Sequence, residues 1–332
     1  MKFLKIALTG GPCGGKSAAL CRIEEEFIKF GYKVFLINET ATELRSMGIS
    51  PESMGSVYEY QSKQFELQTT KEDVCGQDAL ASNAEKILIV CDRGLPDNAA
   101  YLSMNDYHFI LREHSVSRAE ALLRYDAVFF LRSAANKSSD LYHAETNPVR
   151  TETPKKAIEL DEKLLLAWAE HPHLFVIDAN DSFDDKMKEL LTSLTEFAEE
   201  GKPFLYKEKY IIDRFDFATI PYAIVTETET YMLEQGASAI KETRNGEHRF
   251  KMIRGNDIQY ITYPDFLNAV SVGDNHLRKI AVTRYGFRYR DEYITIESYP
   301  HLDKTAVMTV EKRSDKEETA FPDYITVLEK FK

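Results

Sequence analysis

The chain is poor in cysteine, with four in 332 residues, at positions 13, 21, 75 and 91, and neither a C-x-x-C pair nor a metal-ligand spacing among them. Scattered thiols in a chain this long exclude a disulfide framework and point to a reducing compartment. Long apolar runs are absent too: no stretch approaches the ~20 residues that a membrane helix needs. The opening Met1-Lys2-Phe3-Leu4-Lys5 has the outline of a secretion signal, but Lys5 breaks it and glycines follow, so it reads as a buried strand. A cytoplasmic protein is expected. Basic charge is in deficit, 42 Lys and Arg against 54 Asp and Glu for a net charge of −12, which argues against a general nucleic-acid binder. The deficit is uneven, 23 basic against 33 acidic residues in 1–202 and 19 against 21 in 203–332, so the two parts differ in character. No repeat, no low-complexity segment and no N-K-x-D base-reading motif is present.

What is there divides the chain in two. Short continuous apolar runs at 3–8, 34–37, 87–91, 127–131 and 174–177 alternate with helix-like stretches. Continuous rather than alternating strands, separated by helices, predict a parallel sheet covered on both faces. An amphipathic helix at about 186–197 closes this unit, and 199–203 (EEGKP) reads as a linker. Beyond it the period becomes two, at 226–233, 247–253, 279–289, 292–299 and 305–311, with Asn245-Gly246 and Arg290-Asp291 as turns. That pattern predicts antiparallel, hairpin-rich β structure. The expected domains are 1–200 and 203–332.

Gly10-Gly11-Pro12-Cys13-Gly14-Gly15-Lys16-Ser17 satisfies G-x-x-x-x-G-K-[ST], between an apolar strand and an amphipathic helix. Backbone N–H groups without side chains in the way can wrap a phosphate, and the helix N-terminus adds its positive dipole. Lys16 then reaches the β- and γ-phosphates, and Ser17 holds Mg²⁺. A second apolar strand ends in Asp92-Arg93-Gly94, where Asp92 supplies the acid that completes a metal shell; the alternative is a carboxylate capping a turn. Glu39 ends another strand. It would face the same crevice, either as a base toward an attacking hydroxyl or as a helix cap. Arg150, in a polar loop, is a lid arginine or a solvated one.

The segments TGGPCGGKS, INETATEL, CDRG, YDAVFFLRSA and NPVRTE…ELDEKLLLAWAEHPHLFVIDAND together resemble the AAA_28 family of P-loop ATPases, which is related to ribosylnicotinamide-kinase-like nucleoside kinases. The resemblance spans most of 3–197. It implies binding of ATP or GTP with Mg²⁺, Lys16 and Ser17 at the phosphates and metal, Asp92 at the metal and Glu39 near an acceptor. It also implies a lid role for Arg150, contact of Arg93 with substrate or phosphate, and Asp178 and Asn180 near the base. Cys13, inside the loop, is either redox-sensitive or inert.

In the second part, Arg284 and Arg288 share one strand face, Arg249 and Lys251 share another with Arg254 following, and Glu297 shares a face with Tyr299. Such faces are either solvated ion-pair ladders or the lining of a polar tunnel that binds a polyphosphate. The segments TETETYML, HRFKMIRG, AVTRYGFRYRDEYITIESYP and AVMTVE resemble a CYTH domain, the triphosphate-tunnel fold. The order of the two domains resembles the TRPL translocation defect protein family, which implies GTP and phosphoinositide binding and allows a peripheral phosphoinositide contact. The E-x-E-x-K strand of catalytic CYTH proteins is represented here by Lys207-Glu208-Lys209, with only Glu208 in common. The expectation is therefore an α/β P-loop NTPase domain followed by an antiparallel β-rich, CYTH-like domain. Three readings stay open: a Mg²⁺-dependent small-molecule kinase or slow NTPase, a nucleotide-regulated module that binds a phosphorylated ligand or polyphosphate, and a triphosphatase.

Overall fold

The computed structural model describes residues 1–136, 154–178, 182–233, 236–244, 246–255, 257–271, 279–315 and 319–331. The chain forms two compact units, Met1–Glu200 and Gly201–Lys332.

The first unit runs β1 (Lys2–Thr9), α1 (Lys16–Lys29), β2 (Lys33–Ile37), α2 (Thr40–Ser46), α3 (Pro51–Met54), α4 (Val57–Ala81) and β3 (Lys86–Asp92). A 3-10 turn (Leu95–Ala100) follows, then α5 (Met104–Glu113), α6 (Arg118–Leu123), β4 (Ala127–Leu131), α7 (Pro154–Trp168), β5 (Leu174–Ile177) and α8 (Phe183–Phe197). The strands form one parallel sheet in the order β2-β3-β1-β4-β5. Every residue of 87–91 and 127–131 is fully buried, the two-sided burial that continuous apolar strands require. Serines start the helices: Ser56, Ser103, Ser117 and Ser182 each accept a bond from the backbone N–H three residues on. Ser182 is why α8 begins before the expected 186. In register, Leu8 lies beside Asp92 and Thr9 beside Phe130. The chain thus leaves the sheet at Gly10, Arg93 and Arg132 side by side. This is where the strand order diverges around β1, the crevice in which open parallel sheets bind ligands.

The second unit consists of β6 (Tyr206–Asp213), β7 (Ile224–Met232), β8 (Ala237–Arg244), β9 (Glu247–Arg254), β10 (Asp257–Ile261), α9 (Tyr263–Ser271), β11 (Lys279–Tyr289), β12 (Glu292–Ser298), β13 (Thr305–Lys312) and β14 (Val327–Lys330). Its strands form a nine-stranded antiparallel sheet in the order β10-β9-β8-β7-β11-β12-β13-β6-β14. One face carries the core, including Tyr210, Ile212, Phe287, Ile294, Ile296, Met308 and Val310. Phe266 of α9 packs with Ala239 and Met252 near one end of the sheet. β8, β10, β14 and α9 were not expected from the sequence: the strands are short or mix apolar with charged positions, and α9 is a nine-residue apolar stretch between strands.

Candidate functional site

The glycine loop between β1 and α1 packs closely against its own protein. Gly10 has φ 133°, and a Cβ there would lie 2.0 Å from the Leu131 carbonyl oxygen at the end of β4. The Gly11 N–H donates to Asp161 Oδ1 of α7 at 2.8 Å, and the same oxygen accepts from Ser133 N at 2.9 Å. At Gly10 and Gly11 the space that a side chain would take is filled by the Leu131 carbonyl and the buried Asp161 carboxylate, which restricts both positions to glycine. Gly15 is the N-cap of α1 and offers no side-chain acceptor, so the first-turn N–H groups are left to other partners. Lys16 Nζ donates to the Gly10 and Gly11 carbonyls, each at 3.1 Å. Ser17 follows it on α1, and Pro12 O accepts from Ser133 Oγ at 2.6 Å. Cys13, at φ 56°, packs against the buried pair Ala135 and Ala157. From α8, buried Lys186 donates to the carbonyls of Gly14 (2.8 Å) and Arg132 (2.6 Å). Burial first, and then the charge of Lys16, pushes the Lys186 ammonium down to about 8.

At the neighbouring strand ends, Arg93 sits in the left-handed region at φ 71°. Its Nε donates to Glu39 Oε1 at 2.9 Å and its Nη1 to the Gly10 carbonyl at 3.2 Å, so the ion pair leans directly on the loop. A non-glycine residue held there costs energy that the surroundings must offset, a pattern concentrated at functional sites. Glu39 also accepts from Thr42 Oγ1 at 2.7 Å. Burial pulls the Glu39 carboxyl upward, but the charges of Arg93 and Lys16 and these bonds outweigh it and hold the group well below its ordinary value. Asp92 moves the other way, raised by burial and by the Glu39 carboxylate. Its Oδ1 is buried with no hydrogen-bond partner. A buried carboxylate oxygen left so is expensive unless a cation meets it.

Behind this pair lies a network that sequence reasoning missed. Gln68 of α4 accepts from Thr40 Oγ1 and donates to the Arg93 carbonyl at 3.4 Å, tying the ends of β2 and β3 together. One turn on, fully buried Glu72 takes Gln68 Nε2 and the Tyr125 hydroxyl on one oxygen, at 2.8 and 2.7 Å. Its other oxygen meets Lys5 Nζ at 2.5 Å and Arg124 Nε at 2.7 Å. On the 3-10 turn, buried Asp97 accepts from Thr9 Oγ1 (2.6 Å), Trp168 Nε1 (3.0 Å) and Gly94 N (2.8 Å). The only advance signal was the Gln and Glu spacing along α4, which amphipathic logic assigns to solvent.

The other predicted positions fall further out. Asp178 follows β5 and is exposed, and its charge reaches Arg132 and Lys186. Arg150 and Asn180 lie outside the described residues. Among the described residues no group of three His, Cys, Asp or Glu side chains could hold a metal, and no helix is long and apolar enough to cross a membrane.

In the second unit, strand register puts Arg249, Lys251, Arg284, Arg288 and Glu297 on the sheet face opposite the core, and Arg254 on the other face. Arg284 Nε donates to Glu297 Oε1 (2.8 Å) and its Nη1 to Thr228 (2.9 Å); Tyr299 also donates to Glu297 (3.0 Å). Lys251 pairs with Glu242 at 2.8 Å, and Arg288 lies 5.9 Å from the centre of the Phe204 ring. Glu208, the remnant of the E-x-E-x-K strand, points to the core side. There it is held by Tyr210 (2.6 Å), Lys330 (2.9 Å), Lys312 (3.2 Å) and Thr319.

Comparison with known proteins adds the following. No curated protein matches the chain. Among solved structures it is similar to the inorganic triphosphatase NE1496, at 14% identity and TM-score 0.29 over 38% of this chain and 84% of that one. A second structure, described as the hypothetical protein NE1496, gives 14%, 0.28, 37% and 86%. The model of the AAA_28 family, an AAA domain, matches residues 5–186, more than half of the chain and the whole stretch from β1 into α8. That match takes in the glycine loop, the Glu39–Arg93 pair and Asp92 and marks this unit as a nucleotide-binding, P-loop-like domain, so the chain belongs to the AAA_28 family.

Proposed function

We propose that the first unit transfers the terminal phosphoryl group of ATP or GTP to the hydroxyl of a small molecule, and to water slowly when none is bound. The observation that carries this is the buried, unpartnered Asp92 oxygen beside the Glu39–Arg93 pair at the mouth of the glycine loop. The donor set fits Mg²⁺: Asp92 and the Ser17 hydroxyl would hold it, and a hard cation keeps its other positions for water and phosphate oxygens. Bound there, the ion would neutralise charge on the phosphates. Lys16 and the first-turn N–H groups of α1 hold the β- and γ-phosphates. The acceptor oxygen forms a bond to the γ-phosphorus, the bond from that phosphorus to the β–γ bridging oxygen breaks, and the nucleoside diphosphate leaves. The acceptor proton passes to Glu39, which is ionised at neutral pH; Arg93 keeps its carboxylate aimed. A weak base is adequate, because this transition state asks mainly for positioning and charge stabilisation.

A second reading is favoured by Glu208, which is engaged on the core side of the sheet and not with Arg284. On that reading the second unit binds a phosphorylated ligand through Arg249, Lys251, Arg284 and Arg288 without hydrolysing it. The deciding experiment is turnover of ATP, GTP and inorganic triphosphate with Mg²⁺ in wild type and Lys16→Ala. Nucleotide turnover that vanishes in the variant is expected. Triphosphate loss indifferent to Lys16 would instead put catalysis in the second unit.

A further inference from the structure

Three carboxamides in the first unit are buried without an obvious reason. Gln61 and Gln64 of α4 and Asn98 of the 3-10 turn are 4%, 7% and 2% exposed, and the carbonyl oxygen of each has no hydrogen-bond partner in the protein. Buried polar atoms are otherwise satisfied almost everywhere, so three in one region ask for a ligand. Their place is specific. Tyr60, Gln64 and Gln68 follow at four-residue intervals and share a helix face. Gln68 touches Thr40 and the Arg93 carbonyl, and Tyr60 feels the charges of Arg45 and then Glu39, so Gln64 lies between two residues that both reach the Glu39 end of β2. Asn98 comes in from the turn that follows Arg93, against which α4 packs. The cover is thin: α2 and α3 pack on α4, yet α2 buries only Thr40 and Leu44 and α3 buries none of its residues.

We propose that Gln61, Gln64 and Asn98 form the acceptor pocket, entered by displacing α2 and α3, and that it takes an uncharged, polyhydroxylated small molecule. The three groups are neutral, and the cations that reach their neighbours, Arg93 and Arg45, are engaged by Glu39 and Tyr60, so an anionic ligand finds no counter-charge in the carboxamides themselves. A hydroxyl both donates and accepts, and therefore satisfies a carboxamide in either orientation. One further hydroxyl of the ligand is left facing Glu39. The proposal rests on the phosphoryl-transfer reading for its purpose but not for its test, which is made without nucleotide.

Trp168 is the single tryptophan and donates to Asp97, next to Asn98, so its emission reports on this turn. Titrating the full chain with ribonucleosides in one arm and aldohexoses in the other measures binding and distinguishes the two sources of hydroxyls. Gln64→Met keeps the volume and removes the unpartnered oxygen. It is expected to weaken binding about tenfold or more while raising Tm by about 2 °C, since an apolar group no longer leaves a buried acceptor unpaired. Equal binding by Gln64→Met, a fall in its Tm, or no binding of either class to wild type would overturn the proposal. Binding without any turnover would leave the pocket standing and remove the phosphoryl-transfer reading.

Discussion

In the first unit, several buried polar atoms near the strand ends lack protein partners, whereas several charges on the sheet of the second unit meet charges of opposite sign. Asp92, Gln61, Gln64 and Asn98 illustrate the first case. Arg284 with Glu297, Lys251 with Glu242, and Lys207 with Glu311 illustrate the second. An unpartnered buried acceptor costs about 1–3 kcal/mol, so a fold keeps several together only where something else meets them. A charge that meets its opposite avoids most of that cost, and a partly exposed pair such as Arg284 with Glu297 can be held for solubility or for a ligand that displaces one partner. The two units therefore differ in what a mutation there should do.

The largest effect should come from Glu72, which neutralises Lys5 and Arg124 in the interior of the first unit. Glu72→Gln takes the carboxylate from Lys5 and leaves Arg124 with Asp73 alone, and is expected to cost about 3–5 kcal/mol, measured by urea unfolding. A loss below about 1 kcal/mol would mean that this interior pair is worth no more than a surface ion pair. Next, Arg284→Ala with Arg288→Ala should lower affinity for inorganic triphosphate about tenfold, with nucleotide binding intact, by calorimetry. Unchanged affinity would make the ladder structural and remove the second site. The smallest effect is in acid. The folded Glu39 carboxyl lies below its ordinary value of 4.5, so the stability it contributes is fully present above that pH and is lost as the pH falls below it. Glu39→Gln should flatten that part of the curve of Tm against pH, and an unchanged acid limb would show that Arg93 does not hold the group down.

Much of the frame was legible beforehand. The five apolar runs became the five parallel strands because two-sided burial leaves a continuous apolar signature that needs no knowledge of partners. The alternating runs after 203 became antiparallel strands for the complementary reason, one face on a core. Boundaries moved where a cap intervened, as at Ser182. The weakest strands, β10 and β14, had five and four residues and mixed polarity. Within the site, Lys16, Glu39, Asp92 and Arg93 announced themselves by position, at strand ends and after glycines. Gln68, Glu72 and Asp161 did not, since a polar residue on a helix carries no mark that separates a solvated face from a buried one.

The sequence by itself determined where the backbone must be bare and which strand ends carry charge, because glycine spacing and apolar runs act through local sterics and burial. Only the tertiary structure decided what the bare backbone faces. Leu131 and Asp161 come to Gly10 and Gly11 from more than a hundred residues away, and the carboxamides of α4 are enclosed by helices that local pattern leaves free to lie elsewhere. Those outcomes depend on how whole elements pack, and packing sums contacts that no window along the chain contains.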